Sequence, residues 1–425
     1  MLKKMQIDKL FNRFNYTIVF NTGITILTGP NGFGKSTILN IIEALSQKDL
    51  YFLFDVKFEK MVLWFDNFTL KIEKKDYDLI LNELIFKKDI YAGFIDNEIF
   101  RRNRPYLRRV NEDTWFDRRS EQVYKRGELQ DTFFYNMLDS DEFELDEDEL
   151  SKEHLLLLEK IKNEVRELYF IKDQRLIKQK RIRRDRFEND IIDVIEQIPD
   201  KMKALISEIS NKYSDVANQL DSSYPSRLFE TEIGISEADY EKSINDMKQK
   251  FEKLGKYDIS EMKNISNVSF KEEHAKALKI YFEDFDLKYE VYKKFINQLD
   301  MFTDMINNRL HFKSLRITRN EGITLIDDNK NSIKLSSLSS GEKQEIVMFF
   351  ELIFSVSEGV LLLIDEPEIS LHIAWQKIFM DDLERIVQLK KINVIVATHS
   401  PQIISNHWDK QIDLGELYSN EFNKK

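Results

Sequence analysis

The amino-acid sequence predicts an α/β fold, and three observations lead to that class. A glycine-rich stretch, "TGPNGFGKST" at 28–37, joins a short apolar run to a helical pattern. Two apolar runs, "GVLLLID" at 359–365 and "INVIVA" at 392–397, have the composition of strands buried on both faces of a parallel sheet. A charged, glycine-poor region at 183–310 repeats apolar residues at helical spacing, which predicts a helical insertion.

Composition limits the class of protein before any motif is considered. The chain has 425 residues, 42% of them hydrophobic, which is enough to bury the cores of two or three domains. The absence of cysteine excludes disulfides and thiol catalysis and suits a reducing cytoplasm. The net charge of −11 does not favour general nucleic-acid binding. Neither a secretory leader nor a membrane-spanning run is present, so we expect a cytoplasmic protein without a membrane partner.

The glycine-rich stretch predicts a phosphate-binding loop. The apolar run "GITIL" at 23–27 precedes it as a strand, and a helix begins at about Lys35. The loop fits G-x-x-x-x-G-K-[ST], whose backbone N–H groups surround phosphates. Lys35 is expected to reach the β- and γ-phosphates and Ser36 to hold Mg²⁺. The predicted ATP-binding residues here are Asn31, Gly32, Gly34, Lys35, Ser36 and Thr37.

Two further apolar strands end in polar residues with roles at such a site. Asp365 and Glu366 end the first strand, at the edge where open α/β sheets place their ligands. Asp365 is expected to bind Mg²⁺ and Glu366 to polarise the water that attacks the γ-phosphate. His399 ends the second strand, and we expect it to contact the γ-phosphate.

Together these motifs resemble the ABC-type ATPase head of the Rad50, RecF, SMC and OLD branch. The chain has "GPNGFGKST", "LSSGEKQ", "LLLIDEPE" and "ATHS" in the family's order. The resemblance implies Mg²⁺-dependent ATP hydrolysis, with two ATP molecules held between two heads of a homodimer. Ser339 and Gly341 take signature positions that bind the partner's nucleotide. Ser340, Glu342 and Lys343 depart from the family signature.

The resemblance also predicts a Q-loop and an antiparallel β subdomain. Gln174 ends the strand-like run "ELYFIKDQ" at 167–174 and is the candidate Q-loop residue. The resemblance implies that it contacts ATP and Mg²⁺. The segment 58–75 alternates around an Asp-Asn turn, as a β-hairpin does. Arg13 and Phe14 are candidates for contact with the adenine base.

We expect an ABC ATPase head, with a mixed sheet, flanking helices and an antiparallel β subdomain, that is interrupted by the insertion. The N-terminal lobe spans 1–180, the helical insertion 181–310 and the C-terminal lobe 311–425. Pro199, Pro225 and the lack of sustained heptads argue against a long DNA-tethering coiled coil.

Within the branch, "DEPEISLHIAWQ" and "ATHSPQII" resemble OLD-type antiphage proteins. Too few residues follow His399 for an intrinsic nuclease domain. The segments "IDKLFNRFNYTIVF" at 7–20 and "SSYPSRLF" at 222–229 resemble standalone defence ATPases, the AriA ATPases of PARIS systems first and the PtuA ATPases of Septu systems second. That resemblance implies a sensor and scaffold, as a homodimer or an assembly of dimers. The implied partners are a separately encoded TOPRIM-type effector nuclease and a phage-encoded trigger such as an acidic DNA mimic.

Other interpretations stay open at this point. The basic runs at 101–120 and 172–186 and the acidic run at 139–153 either pair as solvated faces or bind an anionic partner. A RecF- or SMC-like repair ATPase that binds duplex DNA is the alternative function, and direct nucleic-acid binding is undecided. A transporter ATPase is disfavoured by the helical insertion and the divergent signature.

Overall fold

The structure, a computed structural model, describes part of the chain in full backbone detail. The described residues are 1–88, 107–111, 114–117, 122–125, 152–165, 167–172, 177–179, 191–259 and 269–422. Gln174, the acidic run before residue 152 and most of both basic runs lie outside them.

The strands are numbered in chain order: β1 (Lys4–Leu10), β2 (Phe14–Val19), β3 (Ile24–Thr28), β4 (Lys60–Trp64), β5 (Thr69–Lys75), β6 (Asp78–Leu81), β7 (Leu84–Phe86), β8 (Leu107–Asn111), β9 (Thr114–Asp117), β10 (Gln122–Lys125), β11 (Leu168–Ile171), β12 (Ile177–Gln179), β13 (Ile191–Asp193), β14 (Lys313–Thr318), β15 (Gly322–Asp327), β16 (Ser332–Ile333), β17 (Leu361–Asp365), β18 (Asn393–Ala397) and β19 (Gln411–Asp413). The described helices are α1 (Lys35–Ser46), α2 (Leu50–Asp55), α3 (Lys152–Val165), α4 (Ile198–Glu230), α5 (Glu237–Lys256), α6 (Ala275–Asn307), α7 (Ser340–Phe350), α8 (Ile373–Lys390), α9 (Pro401–Ile404) and α10 (Leu414–Phe422).

Two compact units contain these elements. The first unit takes residues 1–172 and 356–422, and the second takes 177–179 and 191–355 of the described chain. The predicted division into two lobes and an insertion follows motif order, and it stays a prediction.

A five-stranded parallel sheet forms the centre of the first unit, in the order β11-β17-β18-β3-β19. All five residues of β3 are buried, as are the three central residues of β17. Burial on both faces explains why these strands read as continuous apolar runs. The three strands predicted from those runs, at 23–27, 359–365 and 392–397, are confirmed.

An antiparallel sheet, β2-β1-β4-β5-β6-β7, forms the β subdomain of the same unit. The predicted hairpin is confirmed, because β4 pairs with β5 and Trp64 lies opposite Thr69. Residues of α1 such as Ile38, Ile41 and Leu45 are almost fully buried in a core shared with both sheets. The core therefore fixes α1, and with it the loop that precedes α1, against the parallel sheet.

The second unit contains the predicted helical insertion. Its helices α4 and α6 have 33 residues each, so each is about 50 Å long at 1.5 Å per residue. Pro199 lies in the first turn of α4, where its missing N–H costs nothing, and Pro225 lies inside the helix. After the helices of this unit, β14 and β15 pair antiparallel.

A π-helical segment, Glu351–Ser355, continues directly from α7 in the second unit. The amide of Gln298 on α6 donates to the carbonyl oxygen of Ile353 at 2.9 Å, and the rings of Phe302, Phe350 and Phe354 pack together. Helix α6 thus holds the end of the signature helix through both polar and aromatic contacts.

The predicted fold class is confirmed: an α/β head carries an antiparallel β subdomain and a helical insertion. Every helix among the described residues is too short or too polar to cross a lipid bilayer.

Candidate active site

The predicted site residues of the first unit meet at the carboxyl edge of the parallel sheet. Ala397 at the end of β18 is paired with Leu27 of β3 on one side and with Asp365 of β17 on the other. Adjacent strands lie about 4.8 Å apart, so the ends of β3 and β17 are about 10 Å from each other. The loop after β3, the Asp365–Glu366 pair and His399 therefore surround one small region.

The loop after β3 has the backbone that phosphate binding requires. Gly29, Gly32 and Gly34 have φ angles of 138°, 83° and 92°, in the region that favours glycine. Gly34 is the N-cap of α1 and has no side chain to cap the helix, and the first turn carries no acidic residue. The N–H groups of that first turn are left for an anionic ligand.

Lys35 is buried at the base of this loop, with 6% of its surface exposed. Its Nζ donates to the carbonyl oxygen of Gly29 at 2.8 Å, so the ammonium lies under the loop. Asn31 and Gly32 are exposed at the loop tip, and Ser36 and Thr37 are half-buried at the start of α1. The structure thus brings all six predicted loop residues into one strand–loop–helix unit.

Glu366 has a strained backbone, which the sequence did not indicate. Its φ and ψ are 44° and 56°, a left-handed conformation that costs a non-glycine residue about 1–2 kcal/mol. Its N–H donates to the carbonyl oxygen of Ala397 at 2.9 Å, and Pro367 begins a short 3₁₀ turn after it. The end of β18 therefore holds the backbone of Glu366 in place, and stored strain of this kind is typical of functional positions.

His399 follows β18 directly, and half of its side chain is exposed. Its ring Nδ1 lies 2.9 Å from Oε1 of Glu368, a carboxylate that is almost fully buried. Sequence reasoning missed Glu368, although it is the last residue of the "DEPE" string that supplies Asp365 and Glu366. The available signal was a third acidic residue in this string, three positions after Asp365.

The signature residues belong to the second unit, where they begin helix α7. Ser339 is the N-cap, and its Oγ and N–H both donate to Oε2 of Glu342, at 2.9 and 3.0 Å. The Nζ of Lys313 lies 2.9 Å from the other oxygen of that carboxylate. Gly341 lies within the first turn of α7. Glu342, which departs from the family signature, therefore forms a complete capping box with Ser339.

Aromatic rings cover one side of the phosphate loop. Phe14 is 4% exposed and packs against Phe33 and Tyr418, with ring centroids 4.9 and 5.1 Å apart. Its ring is enclosed by protein, so the expectation that Phe14 stacks on adenine is wrong. Arg13 is exposed, and its Nε donates to the hydroxyl of Tyr418 at 3.2 Å.

Tyr16 connects this aromatic cluster to the loop backbone. Its hydroxyl donates to the carbonyl oxygen of Phe33 at 2.9 Å. Burial raises the pKa of the Tyr16 phenol well above its ordinary value, so the hydroxyl keeps the proton that it donates. The Tyr16 hydroxyl of β2 thus stabilises the loop conformation by its hydrogen bond to Phe33.

Comparison with solved structures gives similarity to SMC head domains across nearly the whole chain. An Smc head with an extended coiled coil bound to the C-terminal domain of ScpA, from Pyrococcus furiosus, is 14% identical, with 97% of this chain and 92% of that chain covered and a TM-score of 0.36. An Smc head bound to the C-winged helix domain of ScpA is 12% identical, with 97% and 94% covered and a TM-score of 0.37. The SMC head domain from Thermotoga maritima is 12% identical, with 95% and 90% covered and a TM-score of 0.33. At these scores the likeness carries no argument of its own.

The search of curated proteins found no match. The family model of the AAA ATPase domain, AAA_15, matches residues 1–404, which include the loop, both carboxylates, the signature and His399. The chain belongs to this family of nucleotide-binding ATPases.

Proposed function

We propose that the protein hydrolyses ATP at the carboxyl edge of the parallel sheet, between two paired heads. One observation carries this proposal: the phosphate loop, Asp365–Glu366 and His399 follow three adjacent parallel strands. Lys35 and the N–H groups of α1 hold the phosphates, since they supply positive charge and donors at one point. Glu366 accepts a proton from water as the water oxygen bonds to the γ-phosphorus and the bond to ADP breaks.

The residues present fit a magnesium ion that is shared with a nucleotide. Ser36 and Asp365 offer the oxygen ligands that Mg²⁺ prefers. Among the described residues, no group of three or more His, Asp or Glu side chains could hold a metal ion without help. Protein sites hold Mg²⁺ through one or two side chains together with phosphate and water, which is what Ser36 and Asp365 would supply. When bound, the ion neutralises charge on the phosphates.

The remaining site assignments are part of the same proposal. Ser339 and Gly341 would bind the γ-phosphate held by a second copy of the chain, which makes ATP the link between heads. Gln174, outside the described residues, would contribute to ATP and Mg²⁺ contact. The exposed Arg13, next to Tyr418, would lie near the base.

For the biological role we propose a sensor and scaffold of a prokaryotic antiphage defence system. The support is the resemblance of "DEPEISLHIAWQ" and "ATHSPQII" to defence ATPases. The dimer would hold a separately encoded TOPRIM-type nuclease and release it when a phage product binds. Trigger and ATP then have to favour the same conformation, so that binding of either one strengthens binding of the other.

The variant Glu366→Gln tests the catalytic assignment. We expect hydrolysis to fall by 100-fold or more, within the range for loss of a general base, while ATP still binds and paired heads accumulate. Phosphate release and native mass with ATP measure the two effects. Glu83→Gln, an exposed carboxylate of the same unit, is the control. Normal turnover in Glu366→Gln would contradict the assigned role.

The defence role is tested by purifying the tagged protein from its own host and identifying what co-elutes. A nuclease in fixed stoichiometry with the ATPase supports the scaffold. A homodimer without a partner, whose hydrolysis increases with duplex DNA, contradicts the scaffold and supports the repair alternative.

A further inference from the structure

Glu368 is a buried carboxylate beside the candidate γ-phosphate contact. It is 8% exposed, and its Oε1 accepts hydrogen bonds from the hydroxyl of Thr398 at 2.8 Å and from the N–H of His399 at 2.9 Å. The Nδ1 of the His399 ring lies 2.9 Å from the same oxygen. Oε2 is buried and has no hydrogen-bond partner among the described residues. One oxygen of this side chain thus contacts Thr398 and both the backbone and the ring of His399.

The backbone around Glu368 is fixed by a second buried side chain. The Nε2 of Gln376 donates to the carbonyl oxygens of Glu368 and Leu371, at 3.2 and 3.1 Å. Its Oε1 accepts from the hydroxyl of Ser400 at 3.0 Å. Gln376 therefore links the turn after β17 to the residue after His399, and it leaves Glu368 little freedom to move.

We propose that Glu368 is a positioning residue, which keeps a proton on Nδ1 of His399 and so presents Nε2 to the γ-phosphate. An ionised carboxylate accepts hydrogen bonds and never donates them, so of the two ring nitrogens the one that lies 2.9 Å from it is suited to be the donor. The hydrogen bond made by one ring nitrogen decides which role the other can take. With ATP bound, Nε2 would take a second proton from water so that Nε2–H donates to a phosphate oxygen, and the buried carboxylate would compensate the charge of the imidazolium, as the buried aspartate does in a catalytic triad.

The arrangement also connects the two catalytic strands. Glu368 lies two residues after Glu366, in the 3₁₀ turn that follows β17, whereas His399 follows β18. A γ-phosphate that engages His399 would therefore act on the turn that carries the general base. ADP has no γ-phosphate and leaves this connection unused. This inference rests on the proposed contact between His399 and the γ-phosphate.

The direct test is ¹⁵N NMR of the histidine rings in the full-length protein. The chain has six histidines, and His399→Gln assigns the signal. In slightly alkaline solution, where an ordinary imidazole is neutral, we expect the wild-type His399 ring to carry its proton on Nδ1. In Glu368→Gln the amide can donate as well as accept, and we expect a shift toward the form protonated on Nε2. A wild-type ring protonated on Nε2 alone would overturn the inference without any variant.

Enzyme assays separate positioning from mere structural support. Glu368→Gln should slow ATP hydrolysis by about 10- to 100-fold, as losses of groups that orient a functional histidine do. ADP affinity should stay within about twofold of wild type, since ADP does not reach His399. Glu83→Gln serves as the matched control for loss of a carboxylate. Loss of ADP binding, or unchanged hydrolysis in Glu368→Gln while His399→Gln is inactive, would overturn the inference. Wild-type hydrolysis in His399→Gln would instead refute the proposed role of His399 itself.

Discussion

At the scale of single residues, Glu342 gives the signature an unusual electrostatic environment. Its carboxylate accepts both donors of Ser339 and lies against Lys313. A signature serine that binds a partner's γ-phosphate has to donate its hydroxyl to that phosphate. In this chain the Ser339 hydroxyl already donates to the Glu342 carboxylate, which is an anion. If two heads pair through ATP as proposed, their association would have to displace a hydrogen bond and bring the phosphate close to a negative charge.

We expect Glu342→Gln to strengthen ATP-dependent pairing of heads by about two- to fivefold. Glutamine can preserve the capping box, and the loss of charge at a helix N-terminus is worth about 0.3–1 kcal/mol. Sedimentation in the Glu366→Gln background measures the dimer dissociation constant. Glu321→Gln, an exposed change in the same unit, should leave it unchanged. Weaker pairing in Glu342→Gln would mean that the carboxylate assists the partner's nucleotide.

The same residue predicts a pH dependence of stability. Partial burial raises the pKa of the Glu342 carboxyl, but hydrogen bonds from Lys313 and Ser339 outweigh this effect and hold the pKa below its ordinary value. A depressed carboxyl pKa adds stability above the unfolded value, about 4.3, and this stability is lost as the pH falls further. In Glu342→Gln the loss of melting temperature below pH 4.3 should be smaller. An equal loss in both proteins would contradict the prediction.

At the scale of elements, the phosphate loop offers a matched pair of glycines. Both Gly32 and Gly34 have positive φ, so alanine at either position meets a strain of about 1–2 kcal/mol. A Cβ on Gly34 would also lie 2.9 Å from Cδ2 of Leu10, whereas one on Gly32 would meet nothing within 4 Å. We expect Gly34→Ala to lower the unfolding free energy by at least about 1 kcal/mol more than Gly32→Ala. Urea unfolding without nucleotide measures the difference, and equal losses would contradict it.

The insertion is held together at the Pro225 turn by an ion pair between its two long helices. The guanidinium of Arg227 on α4 donates to both oxygens of Asp284 on α6, with Nη2–Oδ2 at 2.8 Å, and to the carbonyl oxygen of Leu220 at 2.8 Å. Asp284 is 6% exposed. The same guanidinium therefore joins Asp284 to the helical turn before the proline.

Removal of this pair should destabilise the second unit. We expect Asp284→Ala to lower the unfolding free energy by about 2 kcal/mol, below the 3–5 kcal/mol of fully buried pairs because Arg227 is partly exposed. Asp286→Ala, two residues further along α6, removes an exposed pair with Lys250 and should cost under about 1 kcal/mol. Chemical unfolding of both variants provides the comparison. Equal losses of unfolding free energy in the two variants would show that the Arg227–Asp284 pair does not stabilise the insertion more than an exposed pair does.

The sequence predicted most elements because their signals are local. Continuous apolar runs identified β3, β17 and β18, and helical spacing identified the insertion. The left-handed backbone of Glu366 and the π-helical segment after α7 were not predicted. Both depend on tertiary contacts, the first with Ala397 and the second with Gln298, and no local pattern encodes these. Phe14 was misjudged for a similar reason, since its burial depends on Tyr418, distant in sequence.

At the scale of the whole molecule, the net charge bears on the choice between a defence scaffold and a DNA-repair ATPase. The net charge is −11, so duplex DNA meets a repulsive surface except where basic residues cluster. We expect duplex DNA to change the rate of ATP hydrolysis by less than about twofold at physiological salt. Phosphate contacts release counterions, so true stimulation by DNA would fall steeply with salt. Stimulation with that salt dependence would favour a repair ATPase over a defence scaffold.

The position of β3 in the parallel sheet has a consequence for synthesis on the ribosome. The neighbours of β3 are β18 and β19, and Gly29 packs against Leu414, about 380 residues after the loop. At 5–20 residues per second, the phosphate loop would wait about 20–80 s for these contacts. During that interval the nascent chain would lack the packing that shapes its nucleotide site. ATP binding would thus report that β18 and β19 have been synthesised and have packed beside the loop.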